Sequence, residues 1–223
     1  MSGQELGEWH SQEFVATWVG DDTIADMLEL PRKLSALLVR DAEIPVARVL
    51  DLGSGHGPYL ARFLRMFPEA QGTWFDYSEA MEELARAQLA EFGDRVEYVV
   101  GDVERLHELE LEQADVIVTS RALHHFSPES LQRIYRRCCE LTRPGGFIFN
   151  LDHIGTPGDW EGSYRRIRDQ ITAPRQAEAP HRHDFPFYPP EEHRAWMELG
   201  GYADADVPWR LLFTTLIAAR RPA

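Results

Sequence analysis

One segment of this sequence combines glycines and a carboxylate at a spacing that suits a nucleotide-like ligand. Residues 51–57 read Asp-Leu-Gly-Ser-Gly-His-Gly and end the apolar run that begins at Val46. Glycines after a buried strand permit a tight turn and a close approach of the backbone to a ligand. The helix expected next presents unpaired N–H groups and the positive end of its dipole at the same place. The pattern predicts a nucleotide-type site at the carboxyl end of the first strand.

Two cofactor classes compete for this glycine segment. A dinucleotide fingerprint has the spacing G-x-G-x-x-G, but its sixth position here is Pro58. The observed spacing is G-x-G-x-G, with Asp51 two residues before the first glycine. An NAD-dependent oxidoreductase is therefore disfavoured and stays an alternative.

Strand-like and helical patterns alternate around the glycine segment and must position it. The predicted strands are 46–52, 72–76, 95–100, 114–119 and 147–151, with helices at 59–67, 78–92 and 128–141. Such alternation predicts a parallel sheet with helices on both faces. Two later strand-like runs, 203–207 and 211–219, are joined by Pro208-Trp209-Arg210. That joint is too short for a parallel crossover, so we expect these two strands to be antiparallel.

The G-x-G-x-G spacing with Asp51 resembles that of the class I S-adenosylmethionine-dependent methyltransferases. The resemblance continues in register with Asp76 after the second strand and Gly101-Asp102-Val103 after the third. Further matches are 119–126, Thr-Ser-Arg-Ala-Leu-His-His-Phe, after the fourth strand and Arg143-Pro144-Gly145-Gly146 before the fifth. These motifs in the family's order carry the resemblance, which covers residues 45–152 well and the first 44 hardly at all.

The resemblance implies S-adenosylmethionine as cofactor and S-adenosylhomocysteine as product. It implies that Asp51 organises the glycine turn, that Asp76 accepts both ribose hydroxyls, and that Asp102 accepts from the adenine amino group. Tyr77 and Met81 would flank the adenine, although Met81 at helical spacing also fits a core position. The residues expected to bind the cofactor are Asp51, Gly53, Ser54, Gly55, Asp76, Tyr77, Met81, Asp102, Val103, Ser120 and Arg121.

The implied fold class is α/β, a Rossmann-like doubly wound and mostly parallel seven-stranded sheet with an antiparallel last strand and an N-terminal helical cap. We expect one methyltransferase domain over 1–223. Its parts are a cap at 1–44, a cofactor-binding core at 45–152, an acceptor-binding insertion at 153–190, and a C-terminal helix with an antiparallel strand pair at 191–223.

The expected reaction is methyl transfer to a small-molecule acceptor whose methylated atom (O, N or C) is left open. Placing the acceptor in line is most of this catalysis, because the sulfonium already activates the methyl group. A hydroxyl acceptor gains from a histidine base. His153, directly after the fifth strand, is the first choice and His125 the second, with His124, His181 and His183 as further candidates. A structural, hydrogen-bonded histidine is the alternative for each.

Acceptor selectivity is expected to reside in the long insertion and in the N-terminal segment. Trp9, Phe14 and Trp18 lie at roughly helical spacing and predict a lid, a core contact or a dimer contact. The candidate acceptor-binding residues are Trp18, His125, His153, Trp160, Tyr164 and His183. The arginines of the insertion, among them Arg165, Arg166 and Arg168, fit either a carboxylate or phosphate of the acceptor or a solvated helix face.

No metal site is predicted. His181 and His183 share one face of an extended segment, but no third ligand has motif spacing. The same cofactor motifs also fit a protein that uses bound S-adenosylmethionine for a non-methylating reaction such as cyclisation, or a non-catalytic binding protein.

The composition limits the classes of binding partner that the protein is expected to have. The 223 residues include 23 Lys+Arg and 37 Asp+Glu, and 23 − 37 gives −14. This charge disfavours nucleic acid and an anionic membrane as partners. Adjacent Cys138 and Cys139 are expected to be reduced thiols of a cytoplasmic protein. No signal peptide or membrane span is predicted, and a homodimer is left open.

Overall fold

The computed structural model describes residues 11, 22–156, 158–171 and 185–223. Several residues named above, Trp9, Phe14, Trp18, His181 and His183, lie outside the described residues. In the described ranges, no helix has both the length and the apolar character needed to cross a membrane.

The described chain forms one seven-stranded sheet. Its strands are β1 (Arg48–Leu52), β2 (Gln71–Asp76), β3 (Val96–Val100), β4 (Ala114–Ser120), β5 (Thr142–His153), β6 (Ala203–Leu211) and β7 (Thr214–Arg220). Their order across the sheet is β3-β2-β1-β4-β5-β7-β6. Strands β1 to β5 pair in parallel, whereas β7 is antiparallel to both of its neighbours. The expected mostly parallel sheet with a reversed last strand is confirmed.

Helices cover both faces of the sheet. They are α1 (Asp22–Asp41), α2 (Pro58–Met66), α3 (Glu79–Gln88), α4 (Pro128–Leu141), α5 (Trp160–Ile171) and α6 (Pro190–Leu199). Alternate residues of a strand point to opposite faces. On β5, Phe149 belongs to the core that includes residues of α1, α2 and α3, and Ile148 belongs to the core that includes residues of α4 and α6. The two apolar cores therefore fix the sheet between the helices.

The strand order places a crevice between β1 and β4. The chain moves outward from β1 through β2 to β3, then returns to the other side of β1 with β4. Open α/β sheets bind ligands at the carboxyl ends of the strands beside such a reversal. The glycine segment follows β1 and the histidine segment follows β4, so both border this crevice.

The prediction of a turn at Pro208-Trp209-Arg210 is wrong. β6 continues through these residues to Leu211, and the chain reverses at Leu212 and Phe213, where Leu212 has a φ of +57°. Proline is tolerated there because β6 is an edge strand whose pairing with β7 has register irregularities. The helix expected to run to Phe92 ends at Gln88, and a separate 3₁₀ segment follows at Ala90–Arg95.

Candidate active site

The glycine turn after β1 is held by Asp51. The Asp51 Oδ2 atom accepts hydrogen bonds from Ser54 Oγ at 2.7 Å and from Leu60 N at 3.1 Å, in the first turn of α2. The backbone N atoms of Gly53 and Ser54 donate to Phe75 O at 2.8 and 3.1 Å. Asp51 therefore links the turn to the start of α2 while β2 fixes the other side, and this is the organising role that the sequence implied.

Gly53 and Gly55 both have left-handed backbones, with φ of +63° and +56°, but their surroundings differ. A Cβ on Gly53 would lie 2.5 Å from the Ala122 Cβ, whereas a Cβ on Gly55 would meet its nearest neighbour, the Met81 Sδ, at 4.0 Å. We expect Gly53→Ala to lower the free energy of unfolding by about 1–3 kcal/mol more than Gly55→Ala does. Urea unfolding of both variants measures this difference, and equal losses would contradict the clash.

Asp76 joins the end of β2 to the glycine turn. Its Oδ2 accepts from Gly55 N at 2.8 Å and its Oδ1 accepts from Ser78 N at 3.0 Å. A carboxylate has about four acceptor positions and can therefore accept several hydrogen bonds at once. Met81 on α3 is buried in the core, with its sulfur facing Gly55.

Asp102 begins a 3₁₀ segment, Val103–Glu108, that follows β3. Its side chain accepts from Glu104 N at 2.9 Å, and Val103 is buried. At the end of β4, the Thr119 and Ser120 hydroxyl oxygens are buried without a hydrogen-bond partner among the described residues. Buried polar groups without partners are costly, so this edge of the crevice suits a polar ligand.

Arg32 on α1 adds a cation that the sequence analysis missed. The residue is 7% exposed, and its Nε has no hydrogen-bond partner in the described part of the chain. Burial lowers the pKa of Arg32 to about 10, opposed by the charges of Tyr59 and Asp51. Burial, and then the positive charges of Arg32 and Arg121, lower the pKa of His56 to about 4. We call Arg32 and Arg121 the cationic corner, which suits an anionic ligand group, whereas His56 beside them is neutral near pH 7.

Burial also raises the pKa of Asp51 to about 7, against its hydrogen bonds to Ser54 and Leu60 and the charge of Arg32. The folded state then holds a proton that the unfolded chain has lost, so stability falls as pH rises from about 4 to 7. Asp51→Asn cannot titrate and lacks this slope. Between about pH 5 and 7 we expect the wild type to lose on the order of 2 kcal/mol relative to the variant. Urea unfolding across this range tests it, and parallel curves would refute it.

A histidine cluster surrounds Asp152 at the end of β5. His124 Nδ1 lies 2.5 Å from Asp152 Oδ1, and His124 N donates to Asp152 Oδ2 at 3.0 Å. His153 N donates to Asp152 Oδ1 at 2.8 Å. Asp152 is fully buried, which raises its pKa, while the charges of His153, His125 and His193 and the His153 hydrogen bond oppose the rise. The carboxylate is therefore committed to orienting the segment after β4.

The two predicted bases flank this pair. The ring centroid of His124 lies 4.0 Å from that of His125 and 4.9 Å from that of His153. The pattern had included His124 among the candidates but had not identified Asp152 as its partner. The available signal was the carboxylate of Asp152 near the end of an apolar strand that is buried on both faces.

A cavity of about 290 Å³ lies beside the cluster. Its described lining, here called the aromatic pocket, is Ile154, Gly155, Thr156, Glu161, Arg165, Phe185, Pro186, Phe187 and Phe213. Trp160 and Tyr164 lie on α5 with their ring centroids 5.7 Å apart, and neither is among the described lining residues. Among the described residues, no group of three His, Cys, Asp or Glu side chains could hold a metal ion.

Comparison with known proteins identifies this architecture. Residues 49–146 match a family described as a methyltransferase domain. This match supports a class I S-adenosylmethionine-dependent methyltransferase. The matched range runs from β1 into the turn within β5 and includes the glycine turn, Asp76 and Asp102. The resemblance inferred from the motifs is confirmed, and the dinucleotide alternative is not supported.

Two named relatives of this chain are O-methyltransferases. The chain is 34% identical over 111 residues to 3-amino-4-hydroxybenzoate 4-O-methyltransferase of Streptomyces cremeus, covering 49% of this chain and 30% of that protein. It is 34% identical over 141 residues to malonyl-[acyl-carrier protein] O-methyltransferase of Methylococcus capsulatus, covering 62% of this chain and 49% of that protein. The chain thus spans half or less of the length of these relatives.

A solved structure shows the same fold. It is an O-methyltransferase family protein from Burkholderia thailandensis, with a TM-score of 0.64, 21% identity, and coverage of 85% of this chain and 57% of that one.

Proposed function

We propose that this methyltransferase moves the methyl group of S-adenosylmethionine to a hydroxyl oxygen of a small-molecule acceptor, with His124 as general base. The observation that carries the proposal is the contact of 2.5 Å between His124 Nδ1 and the buried carboxylate of Asp152. The names of the two relatives, both O-methyltransferases, support an oxygen acceptor.

The crevice fits the cofactor. The Nε of Arg32 is buried without a partner among the described residues, and Arg32 would hold the cofactor carboxylate, for which a guanidinium is the natural partner. Asp76 would accept from the ribose hydroxyls, and Asp102 from the adenine amino group. Gly53 and Gly55 let the backbone approach, which side chains at their positive φ would hinder. Ser54, Tyr77, Met81, Val103, Ser120 and Arg121 would complete the contacts.

The cofactor supplies a methyl group on a sulfonium, which is electrophilic without help from the protein. With Asp152 accepting from Nδ1–H, the other nitrogen of His124, Nε2, carries a lone pair. Nε2 takes the acceptor's hydroxyl proton as the oxygen attacks the methyl carbon. S-adenosylhomocysteine would be the leaving group, and the buried Asp152 carboxylate would stabilise the imidazolium of His124.

His153 and His125 remain proposals as acceptor-contacting groups beside this base. His153 is the rival base, since it follows β5 directly and its ring faces the aromatic pocket through Phe187 and Phe213. Trp18 and His183 stay predictions, as do Trp160 and Tyr164, whose helix borders the pocket.

The cellular setting and partners also stay proposals. A cytoplasmic location is supported by two free, buried cysteines. The charge of −14 supports a small molecule over nucleic acid as partner. The homodimer left open by the sequence remains a prediction.

Calorimetric titration with S-adenosylmethionine, S-adenosylhomocysteine and NAD tests the cofactor assignment. We expect both sulfur nucleotides to bind, NAD not to bind, and Asp76→Ala to weaken binding about 10-fold or more, because hydrogen bonds to a charged acceptor contribute about 1.5–3 kcal/mol. An acceptor library with mass detection then tests the transfer. A cofactor-dependent product that gains no methyl group would instead support the non-methylating alternative.

A further inference from the structure

The aromatic pocket shares its walls with the histidine cluster. The Phe187 ring centroid lies 5.6 Å from the ring centroids of both His124 and His153, and the Phe213 centroid lies 5.3 Å from that of His153. A ligand in this pocket is therefore one aromatic side chain away from the proposed base. The residues that line the aromatic pocket have no role in the proposed proton transfer.

The pocket is small, and most of its described walls are apolar. Phe185, Phe187 and Phe213 line it together with Ile154 and Pro186. The segment carrying Phe187 lies against the end of β5 because Gly155 has no side chain, and Gly155 N donates to Tyr188 O at 2.8 Å. A volume of about 290 Å³ is at the lower end for ligand sites and fits one ring with its substituents. Offset or edge contacts with the phenylalanines favour an aromatic ring over a saturated one.

Arg165 provides the pocket's cation. Its Nε and Nη2 donate to Glu161 Oε1 at 3.1 and 2.7 Å, and its guanidinium carbon lies 6.0 Å from the Phe187 ring centroid. An exposed i,i+4 ion pair of this kind contributes only about 0.3–0.5 kcal/mol. The pair engages one edge of the guanidinium, so its Nη1 side can serve a second carboxylate without breaking the bond to Glu161.

Thr156 adds another polar side chain to the pocket lining. Its Oγ1 is buried and has no hydrogen-bond partner among the described residues, although it lines the pocket. A buried hydroxyl without a partner is unfavourable. Thr156, Arg165 and the Glu161 paired with Arg165 are the polar side chains among otherwise apolar described lining residues, and a few placed polar groups fix the orientation of a small ligand.

We propose that the aromatic pocket binds the acceptor as an aromatic ring bearing a carboxylate, with Arg165 holding the carboxylate and Thr156 bonding a polar substituent. This rests on the proposed function for the identity of the ligand as acceptor. Arg165 is then the residue that selects an acidic over a neutral acceptor, in a chain whose overall charge of −14 would otherwise repel it.

The test uses three probes that separate ring from charge. They are 4-hydroxyphenylacetate, its neutral amide 4-hydroxyphenylacetamide, and the saturated trans-4-hydroxycyclohexylacetate. Each is titrated into the full chain saturated with S-adenosylhomocysteine, with binding followed by ligand-observed NMR. We expect the aromatic acid to bind about 10-fold or more tightly than either of the others, since one charge-assisted contact contributes about 1.5–3 kcal/mol.

Two variants assign the preference to a residue. Arg165→Gln should bring the aromatic acid to the affinity of its amide. Arg166→Gln is the matched control, because Arg166 lies on the same helix, donates to Ser163 Oγ at 3.1 Å, and is not among the described lining residues. It should leave the preference intact.

The inference is overturned by equal binding of acid and amide, by equal binding of ring and cyclohexane, by no binding of any probe, or by a preference that survives Arg165→Gln. These readouts need no turnover. Binding with the expected preferences but without methylation in any acceptor assay would count against the proposed function alone. Methyl transfer to other acceptors without these preferences would count against this inference alone.

Discussion

His124→Gln is expected to lower kcat for a hydroxyl acceptor by about 10²- to 10⁴-fold while the affinity for S-adenosylhomocysteine stays the same. A glutamine side chain can still donate to Asp152, so the buried carboxylate keeps a partner, but it cannot take the acceptor's proton. Steady-state kinetics with an acceptor from the library measure the loss, and calorimetry with S-adenosylhomocysteine shows that the fold and cofactor site persist.

The pH dependence separates a base from a structural residue. As pH rises past the pKa of the acceptor hydroxyl, the acceptor is already deprotonated and the base is no longer needed. The deficit of His124→Gln should therefore shrink toward high pH, whereas a loss caused by misfolding would not. His153→Ala is the comparison, and it should reduce kcat by less than about 10-fold. A larger loss in His153→Ala than in His124→Gln would move the base to His153.

Arg32→Met is expected to weaken binding of S-adenosylhomocysteine by about 30-fold or more, since losing one partner of a buried charge pair costs about 2–5 kcal/mol. Methionine keeps the apolar length of the side chain within α1. The control ligand is 5′-methylthioadenosine, which lacks the carboxylate. Its affinity should be the same for wild type and Arg32→Met. Calorimetry with both ligands therefore measures how much the contact between Arg32 and the carboxylate contributes to binding.

The ligand-free protein provides a second readout for Arg32. A buried guanidinium whose Nε lacks a partner is costly to the folded state. Arg32→Met should therefore raise the Tm of the ligand-free protein while weakening its ligand affinity. If both ligands lost affinity equally, Arg32 would act on the shape of the site and not on the carboxylate.

Much of the fold was predictable because its signals are local. The apolar runs that form β1 to β5 are recognisable from their own residues. Gly53 and Gly55 indicate a turn independently of the residues around them. The reversed last pair was predicted correctly from chain length, but its turn was misplaced. Pro208 breaks a central strand and is tolerated at an edge, and only the sheet order showed that β6 is the edge.

The proposed cofactor site was largely indicated by the sequence, because Asp51 and Asp76 lie near the carboxyl ends of β1 and β2 and Asp102 follows β3, all at the same edge of a parallel sheet. Arg32 was not, because an arginine on a helix is normally solvated. Its burial depends on how α1 packs on α2 and β5, which no spacing within α1 encodes.

By itself, the sequence determined the family, the glycine turn, the order of strands and helices, and the acids at the strand ends, because these depend on short-range patterns. The tertiary structure alone decided which histidine meets a carboxylate. Pairing of Ser120 with Leu151 between β4 and β5 brings His124 to Asp152, 28 positions away. That register is set by burial on both faces of the sheet. The sequence, which ranks His153 first and His125 second, contains no local signal for the contact between His124 and Asp152.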